Sequence, residues 1–218
     1  GIVDPASAER RAVDLLFFPT GGGKTEAYLG LAAFTMVLRR LRNPGVTSAG
    51  MSVLMRYTLR LLTLDQLGRA ATLICALELE RREDEAKEPA KRLGLGPWPF
   101  EIGLWVGQAA TPNRMGHKGD NDKHSARTKT IAFQGDSRKP APIPIENCPW
   151  CNTKFDRNSF HLEPNPDHPT DLRIACSQRR CAFGGAGTLP IVTVDEVLYR
   201  RVPAFLIATV DKFAQLPW

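Results

Sequence analysis

A glycine-rich run that ends in lysine and threonine is the part of the sequence best suited to chemistry. It reads Pro-Thr-Gly-Gly-Gly-Lys-Thr over residues 19–25. Glycines let a backbone curl around phosphates with its N–H groups inward, and a helix that begins there adds partial positive charge. We expect Lys24 to reach the β- and γ-phosphates of ATP and the Thr25 hydroxyl to hold Mg²⁺. The candidate nucleotide-binding residues are Thr20, Gly21, Gly22, Gly23, Lys24 and Thr25.

The elements around this run have the order that a phosphate-binding loop requires. Residues 12–18 form a short apolar run typical of a buried strand, and residues 25–42 carry helical apolar periodicity. Strands are also predicted at 51–57 and 100–107, with a helix from about residue 64 to residue 87 between them. Strand, helix, strand, helix, strand is typical of an α/β fold with a parallel sheet. A glycine-rich hairpin followed by a chance Lys-Thr is the competing interpretation of the loop.

A second candidate site is a group of cysteines late in the chain. Its members are Cys148, Cys151, Cys176 and Cys181. Two pairs of thiolates in a reducing compartment predict a tetrahedral Zn²⁺ site rather than disulfides, and a closed four-thiolate shell is structural rather than catalytic. His161 and His168 lie between the two pairs and are alternative ligands. Cys75 stands alone in an apolar helical stretch, where we expect it to be a buried small hydrophobe.

The regular pattern is interrupted in the middle of the chain. Residues 111–144 are polar, rich in charged residues and proline, and show little periodicity, which predicts an insertion or a partly disordered segment. Regularity returns with a strand at 189–194, a short helix at 195–201 and a strand at 204–209. We therefore predict an α/β core over residues 1–110 and 189–218, interrupted by an inserted zinc-ribbon-like module over 111–188.

Composition narrows the class of protein. The 218 residues carry a net charge of +6 and a pI of about 9.2. A basic chain of this kind favours nucleic acid or another polyanion as its partner. No apolar run approaches the roughly 20 residues that span a bilayer. The first residues lack the layout of a signal peptide. We expect a cytoplasmic protein without a membrane partner.

Three further segments resemble helicase motifs. Residues 57–66, Tyr-Thr-Leu-Arg-Leu-Leu-Thr-Leu-Asp-Gln, resemble motif Ia, although the spacing from Arg60 to Gln66 is one residue longer than the common form. Residues 103–107, Gly-Leu-Trp-Val-Gly, resemble the strand that usually ends in a glycine pair, and here the pair is incomplete. Residues 205–213, Phe-Leu-Ile-Ala-Thr-Val-Asp-Lys-Phe, resemble motif Ib.

Together with the Pro-Thr-Gly-x-Gly-Lys-Thr form of the loop, these segments make the chain similar to superfamily-2 helicases. The sequence resembles the helicase component of the DISARM phage-defence system over nearly its whole length. The segments that carry this resemblance are residues 17–30, 55–66, 148–151, 194–201 and 208–214. The resemblance implies an incomplete RecA-like P-loop domain, ATP and Mg²⁺ as cofactors, and a bacterial protein that acts on DNA beside partner subunits. It also implies DNA contacts from Arg60, Thr63, Gln66, Thr209 and Lys212.

The catalytic carboxylates are the main point left open. Asp195-Glu196 follows an apolar strand, as the Walker B pair does, with Asp for Mg²⁺ and Glu as base. Only about a dozen residues separate it from the strand ending at Thr209, whereas this connection is usually much longer in such helicases. We expect Walker B to lie beyond Trp218, with Asp195 capping the short helix and Glu196 in its first turn.

Three functions compete at this point. The first is a nucleic-acid-stimulated ATPase motor, of which this piece alone is expected to be inactive. The second is a zinc-ribbon module that binds DNA or a partner on a degenerate, non-hydrolysing P-loop scaffold. The third is a P-loop ATPase that acts on proteins or metabolites, and the resemblance at motifs Ia and Ib argues against it.

Overall fold

The computed structural model describes residues 4, 6–8, 23–57, 60–108 and 110–213, and for Tyr57, residues 60–65, Asp211 and Phe213 it describes the backbone alone. The predicted strand at 12–18 and three of the loop residues, Thr20, Gly21 and Gly22, lie outside this part.

Helices and strands alternate through much of the chain. The α-helices are α1 (Lys24–Arg42), α2 (Arg60–Ala86), α3 (Ala126–Gly135), α4 (Asp195–Arg201) and α5 (Val210–Phe213). The strands are β1 (Val53–Tyr57), β2 (Ile102–Trp105), β3 (Phe160–Glu163), β4 (Asp171–Ile174), β5 (Ile191–Val192) and β6 (Phe205–Thr209). Short 3-10 helices occur at Gly45–Ser48 and Pro89–Lys91. None of the helices in the described ranges is both long and apolar enough to cross a membrane.

Four strands form one parallel sheet in the order β1-β6-β2-β5. β6 lies between two partners, with Phe205 level with Val53 of β1 on one side and with Ile102 of β2 on the other. β5 pairs with the outer edge of β2. The prediction of an α/β fold with a parallel sheet is confirmed. The predicted strands and helices are found within a few residues of their expected bounds, except for the segment outside the described part.

The core forms where α2 lies against the sheet. Its buried residues recur at helical spacing, at Leu67, Ala70, Ala71, Ile74 and Cys75, and they pack on β1, β2 and β6. Burial of Cys75 agrees with the prediction for it. The helix therefore covers the strands whose carboxyl ends carry the candidate site residues.

Helix α4 approaches the sheet unusually closely at Gly103 of β2. A Cβ built on Gly103 would lie 2.4 Å from Leu198 Cδ2 and 2.6 Å from Pro203 Cγ, well inside van der Waals contact. Glycine at this position therefore allows α4 to pack directly over β2.

The segment between β2 and β5 is more ordered than its composition predicts. It contains the antiparallel strands β3 and β4 and the helix α3. The prediction of an irregular insertion at residues 111–144 missed α3. The Ser125 hydroxyl caps α3 by accepting the Thr128 N–H at 3.2 Å. Ala126, Thr130 and Phe133 are buried on one face of α3. In the sequence this short stripe is interrupted by polar residues.

Apolar side chains lie along the outer edge of β1. Within the described residues no strand pairs with this edge. A groove of about 500 Å³ runs between β1 and α1. Two large apolar side chains along it are nearly half exposed, Leu31 at 46% and Leu54 at 44%, and Phe34 of α1 is 49% exposed. We call these residues and the β1 edge the open β1 face.

A buried charge cluster centres on Glu78 of α2. Its side chain is 2% exposed and accepts hydrogen bonds from Arg81 at 2.8 Å, Arg82 at 2.9 Å and the Phe100 N–H at 2.9 Å. Glu78 and Arg82 are four residues apart, a spacing typical of solvated helix faces, but Glu78 is buried because it continues the buried stripe one turn beyond Ile74 and Cys75. Burial alone would raise the pKa of Glu78, yet bonds from Arg81, Arg82 and Phe100 lower it below its usual range.

We predict that Glu78→Ala destabilises the fold. Removing one partner of a buried, hydrogen-bonded charge cluster costs about 3 kcal/mol in the free energy of unfolding. Since the folded-state pKa of Glu78 is lowered, its contribution is present at neutral pH and is lost as the pH falls through that folded-state value. Urea unfolding followed by circular dichroism measures the effect. Glu83→Ala, an exposed position on the same helix, is the control, and equal losses in both variants would contradict the prediction.

Candidate functional site

The candidate phosphate loop ends where α1 begins. Gly23 precedes the helix with φ 75° and ψ 21°, in the left-handed region that favours glycine, and no side chain caps the helix. Lys24 and Thr25 form the first two positions of α1 and are half-buried. A helix start without a side-chain cap leaves backbone N–H groups for another acceptor, such as a phosphate.

The first turn of α1 lies toward the carboxyl edge of the parallel sheet. Arg39, in the last turn of α1, donates to the Met51 carbonyl at 2.6 Å and to the Ala49 carbonyl at 2.7 Å, just before β1 begins. The end of α1 is therefore beside the start of β1, so that the helix runs antiparallel to the strand. Lys24 lies on the same edge as the residues that follow β1, β2, β5 and β6.

The motif Ia residues follow β1 at this edge. Arg60 and Thr63 belong to the first turn of α2, and only their backbones are described. Gln66 lies one turn later, is half-buried and has a polar contact. The topology therefore brings the start of α2 and the start of α1 to one edge.

The motif Ib residues follow β6 and are buried. Thr209 is 6% exposed and Lys212 is 4% exposed. The Lys212 ammonium donates to Asp195 Oδ2 at 2.5 Å and to Asn113 Oδ1 at 3.1 Å. In this arrangement the ammonium binds other protein groups and is not presented at the surface, which the sequence pattern did not indicate.

Asp195 and Glu196 form the first turn of α4, with Val194 rather than Asp195 at the N-cap position. Asp195 is 5% exposed; burial raises the pKa of its carboxyl, while Lys212 and Trp105 act in the opposite direction. Glu196 Oε2 accepts the Met115 N–H at 2.7 Å. Both carboxylates are therefore held by contacts within the protein.

The backbone of this turn is also satisfied. The Asp195 N–H donates to the Pro112 carbonyl at 3.2 Å, and the Glu196 N–H donates to the Asn113 carbonyl at 3.1 Å. β5 is three strands away from β1 in the sheet. With neighbouring strands about 4.8 Å apart, this places the two strands about 14 Å from each other.

The four predicted cysteines converge on one point. Their sulfurs all lie within 4.8 Å of one another. Cys151 Sγ is 3.4 Å from Cys176 Sγ, and Cys148 Sγ is 4.0 Å from Cys181 Sγ. A tetrahedral Zn²⁺ with Zn–S bonds of about 2.3 Å separates its sulfurs by about 3.8 Å. The cluster therefore fits a metal ion of this kind.

The alternative histidine ligands lie elsewhere. His161 is on β3, and His168 stacks on His117 with ring centroids 6.0 Å apart. The group that could hold a metal among the described residues consists of the four cysteines.

The pKa values of three of the four thiols are shifted, and not all in the same direction. Burial raises the pKa of Cys148 to about 11 and also raises that of Cys176. Burial opposes ionisation of Cys151 too, but hydrogen bonds from Thr153, Cys176 and Cys181 lower its pKa to about 6. A divalent ion would stabilise all four thiolates together, because metal coordination deprotonates thiols.

The cysteine cluster is packed against α2. Thr72 donates to the Pro149 carbonyl at 2.9 Å, which joins the first cysteine pair to the middle of the helix. Arg82 lies over the Phe183 ring at 5.2 Å and donates to the Thr188 carbonyl at 3.2 Å. Phe183 also meets Trp150 edge-on, with centroids 6.1 Å apart. Sequence reasoning missed this interface, because its contacts are long-range and Thr72 carries no motif.

Comparison with known proteins gives one informative relative. The chain is 38% identical over 223 aligned residues to the DISARM protein DrmA of Bacillus paralicheniformis. The chain is related to this DISARM protein. The alignment covers 100% of the chain and 19% of the relative, so that the chain spans about a fifth of the relative's length. No known protein-family profile matches the chain.

We predict that the purified protein contains about one equivalent of Zn²⁺ bound by the four cysteines. Cys148→Ser should lose most of the metal because a missing thiolate opens the tetrahedral shell. Cys75→Ala, which alters a buried cysteine outside the cluster, should retain it. Elemental analysis with thiol titration is the measurement. Wild-type protein with less than half an equivalent and four reactive thiols would show that the site is not a zinc site.

Proposed function

We propose that the chain is the first part of the motor domain of an ATP-dependent DNA helicase or translocase that acts in anti-phage defence. In this proposal the fold is RecA-like, with its core formed by residues 1–110 and 189–218. Thr20 to Thr25 cradle the nucleotide phosphates, with Lys24 at the β- and γ-phosphates and Thr25 on Mg²⁺. Relation to a DISARM protein supports the defence role and partner subunits.

The observation that carries the proposal is the start of α1. A left-handed Gly23 is followed by Lys24 and Thr25 at an uncapped helix N-terminus. This helix packs on a parallel sheet, and its first turn lies toward the carboxyl edge. Ligands of α/β proteins bind at that edge, and phosphates bind at such helix starts.

We further propose that the Walker B carboxylates lie beyond Trp218. Asp195 is ion-paired with Lys212, and Glu196 accepts a bond from Met115. β5, which precedes them, is at the far side of the described sheet from β1, against which α1 packs. Within the described residues no strand pairs with the outer edge of β1, which leaves a place in the sheet for the strand predicted at 12–18 or for a Walker B strand.

DNA would contact the strand-end residues at the carboxyl edge. Arg60, Thr63 and Gln66 follow β1, and Thr209 ends β6. In this proposal Lys212 stabilises the fold and does not contact DNA, because its ammonium is buried against Asp195. Contacts of this kind go to phosphates and carry little sequence information. The cysteine cluster, as a closed four-thiolate site on α2, would be structural.

A second candidate function is a zinc-ribbon module that binds DNA or a partner on a scaffold that holds nucleotide without hydrolysing it. The observation that favours it is the commitment of Asp195 and Glu196 to Lys212 and Met115. A full-length protein that binds ATP but does not turn it over, with or without DNA, would support this alternative over the motor.

We predict that Lys24→Ala abolishes DNA-stimulated ATP turnover by the full-length protein. Loss of a positive group at the transferred phosphate lowers such rates by about 100-fold or more. Turnover is measured by phosphate release with and without DNA, and thermal unfolding checks that the fold is intact. Lys91→Ala, an exposed lysine beyond α2, is the matched control. Persistent turnover in Lys24→Ala would mean that the loop does not bind ATP as proposed.

We also predict that Glu196→Gln leaves ATP turnover by the full-length protein unchanged. The Gln side chain can still accept the Met115 N–H, and a carboxylate elsewhere would serve as the base. The isolated 218-residue chain should show no turnover in the same assay. DNA-stimulated activity of that chain that disappears in Glu196→Gln would establish Asp195-Glu196 as the working Walker B pair.

A further inference from the structure

We infer that a lysine-lined groove beside α3 is a second contact surface for DNA phosphates, formed by the segment between β2 and β5. The groove has a volume of about 420 Å³. Lys123, Lys129 and Lys139 lie along it, and small apolar residues form much of the rest of its lining, namely Ala110, Ala132, Ala141 and Ile143. We call this surface the lysine groove. The inference rests on the proposed action on DNA and extends it beyond the helicase motifs.

The sequence places the three lysines around one short helix. Lys123 lies in the turn before α3, Lys129 lies on the helix and Lys139 lies in the turn after it. The cap of α3 by Ser125 and the turn bond from the Lys139 N–H to the Asp136 carbonyl at 3.0 Å fix the two ends. The positive charges are therefore held near one another by ordered backbone.

The carboxylates nearest the outer two lysines are engaged by other groups, although Asp136 also interacts electrostatically with Lys139. Asp120 accepts the N–H groups of His117 and Asp122, and Asp136 binds Arg138 at 2.9 Å. Lys123 and Lys139 are exposed, and neither forms an ion pair within the described part of the chain. Glu146 is the one acidic residue in the lining. The groove therefore presents an excess of positive charge.

The charge of the surrounding segment agrees with this assignment. Residues 111–188 contain twelve Lys and Arg against eight Asp and Glu, which is +4 of the chain's +6. A positive field over such a surface attracts polyanions and accelerates their binding.

The groove begins near the carboxyl edge of the parallel sheet, where the proposed DNA contacts also lie. Ala110, in its lining, follows the carboxyl end of β2 by five residues. Three residues later Asn113 accepts from Lys212, which follows the carboxyl end of β6. Thr209, and Arg60 after β1, belong to the same edge of the parallel sheet. A strand bound at those loops can therefore continue across the lysine groove.

A phosphate backbone fits the lining better than an acidic peptide does. The apolar lining consists mainly of alanines and prolines, with no aromatic or other large pocket for anchoring side chains. Peptide recognition depends on such anchors, whereas phosphate contacts need cations and carry no sequence information. We therefore expect contact with the backbone of DNA and no selection among base sequences.

The test compares two doubly substituted full-length proteins with the same change in charge. Lys123→Gln/Lys139→Gln removes two positive charges from the groove. Lys87→Gln/Lys91→Gln removes two positive charges that follow the C-terminal end of α2. Fluorescence anisotropy over a series of NaCl concentrations measures binding of labelled DNA of two unrelated sequences. For two lost phosphate contacts, the slope of log affinity against log salt should fall by about 1.4 for single strands and about 1.8 for duplexes. The control variant should keep the wild-type slope, and zinc content and thermal unfolding should be unchanged in both.

The outcomes separate this inference from the proposed function. Arg60→Gln serves as the variant of a strand-end contact. If Arg60→Gln flattens the salt dependence while the groove variant matches the control variant, the groove inference is wrong and the DNA-directed function stands. Wild-type protein that binds no DNA overturns both. If binding of poly-glutamate, but not of DNA, depends on Lys123 and Lys139, the groove holds an acidic polypeptide and the inference is wrong.

Discussion

The central position of β6 is the constraint on which the rest of the fold depends. This strand is the last of the described sheet in sequence, yet it lies between β1 and β2 and supplies hydrogen bonds to both. Parallel neighbours need long crossover connections, and here the connection from β2 to β5 is the whole cysteine-containing segment. Ile102 is level with Ile191, so that this segment leaves and rejoins the sheet at adjacent strands. A long connection between adjacent strands is thereby accommodated without disturbing the register of the core.

Charged groups join that segment to the core. Arg201 of α4 binds Glu101 at the start of β2 and Asp171 of β4, the latter at 2.8 Å. Lys212 and Asp195 connect α5 to α4, and Asn113, in the segment between β2 and β5, also accepts from Lys212. Pairs of this kind add little net stability compared with apolar packing, but breaking one leaves a buried charge. Here these pairs fix the orientation of the segment between β2 and β5 relative to the sheet.

The features that the sequence could predict differ in their physical origin from those that it could not. Local periodicity revealed α1, α2, β1 and β6, because their apolar patterns reflect burial against a single sheet. The two cysteine pairs were recognisable because metal ligation fixes their spacing.

The burial of Lys212 was not predictable, since its partner Asp195 is seventeen residues away and on another element. The helix α3 was missed because it buries only one face of a short, polar segment. Glu78 shows that helical register can outweigh residue type, since its position in the stripe predicted burial better than its charge did.

The open β1 face has a consequence for the behaviour of the chain in solution. Within the described residues no strand pairs with the outer edge of β1, and an unpaired edge beside half-exposed Leu54 is a template on which another chain can add a strand. Two copies brought together at high concentration can pair edge to edge in this way, and the result is a non-native oligomer. The size of such particles should grow with protein concentration and shrink when a charged residue replaces Leu54. Self-association of the isolated chain through this edge would be a property of the edge and would not be evidence of a biological dimer.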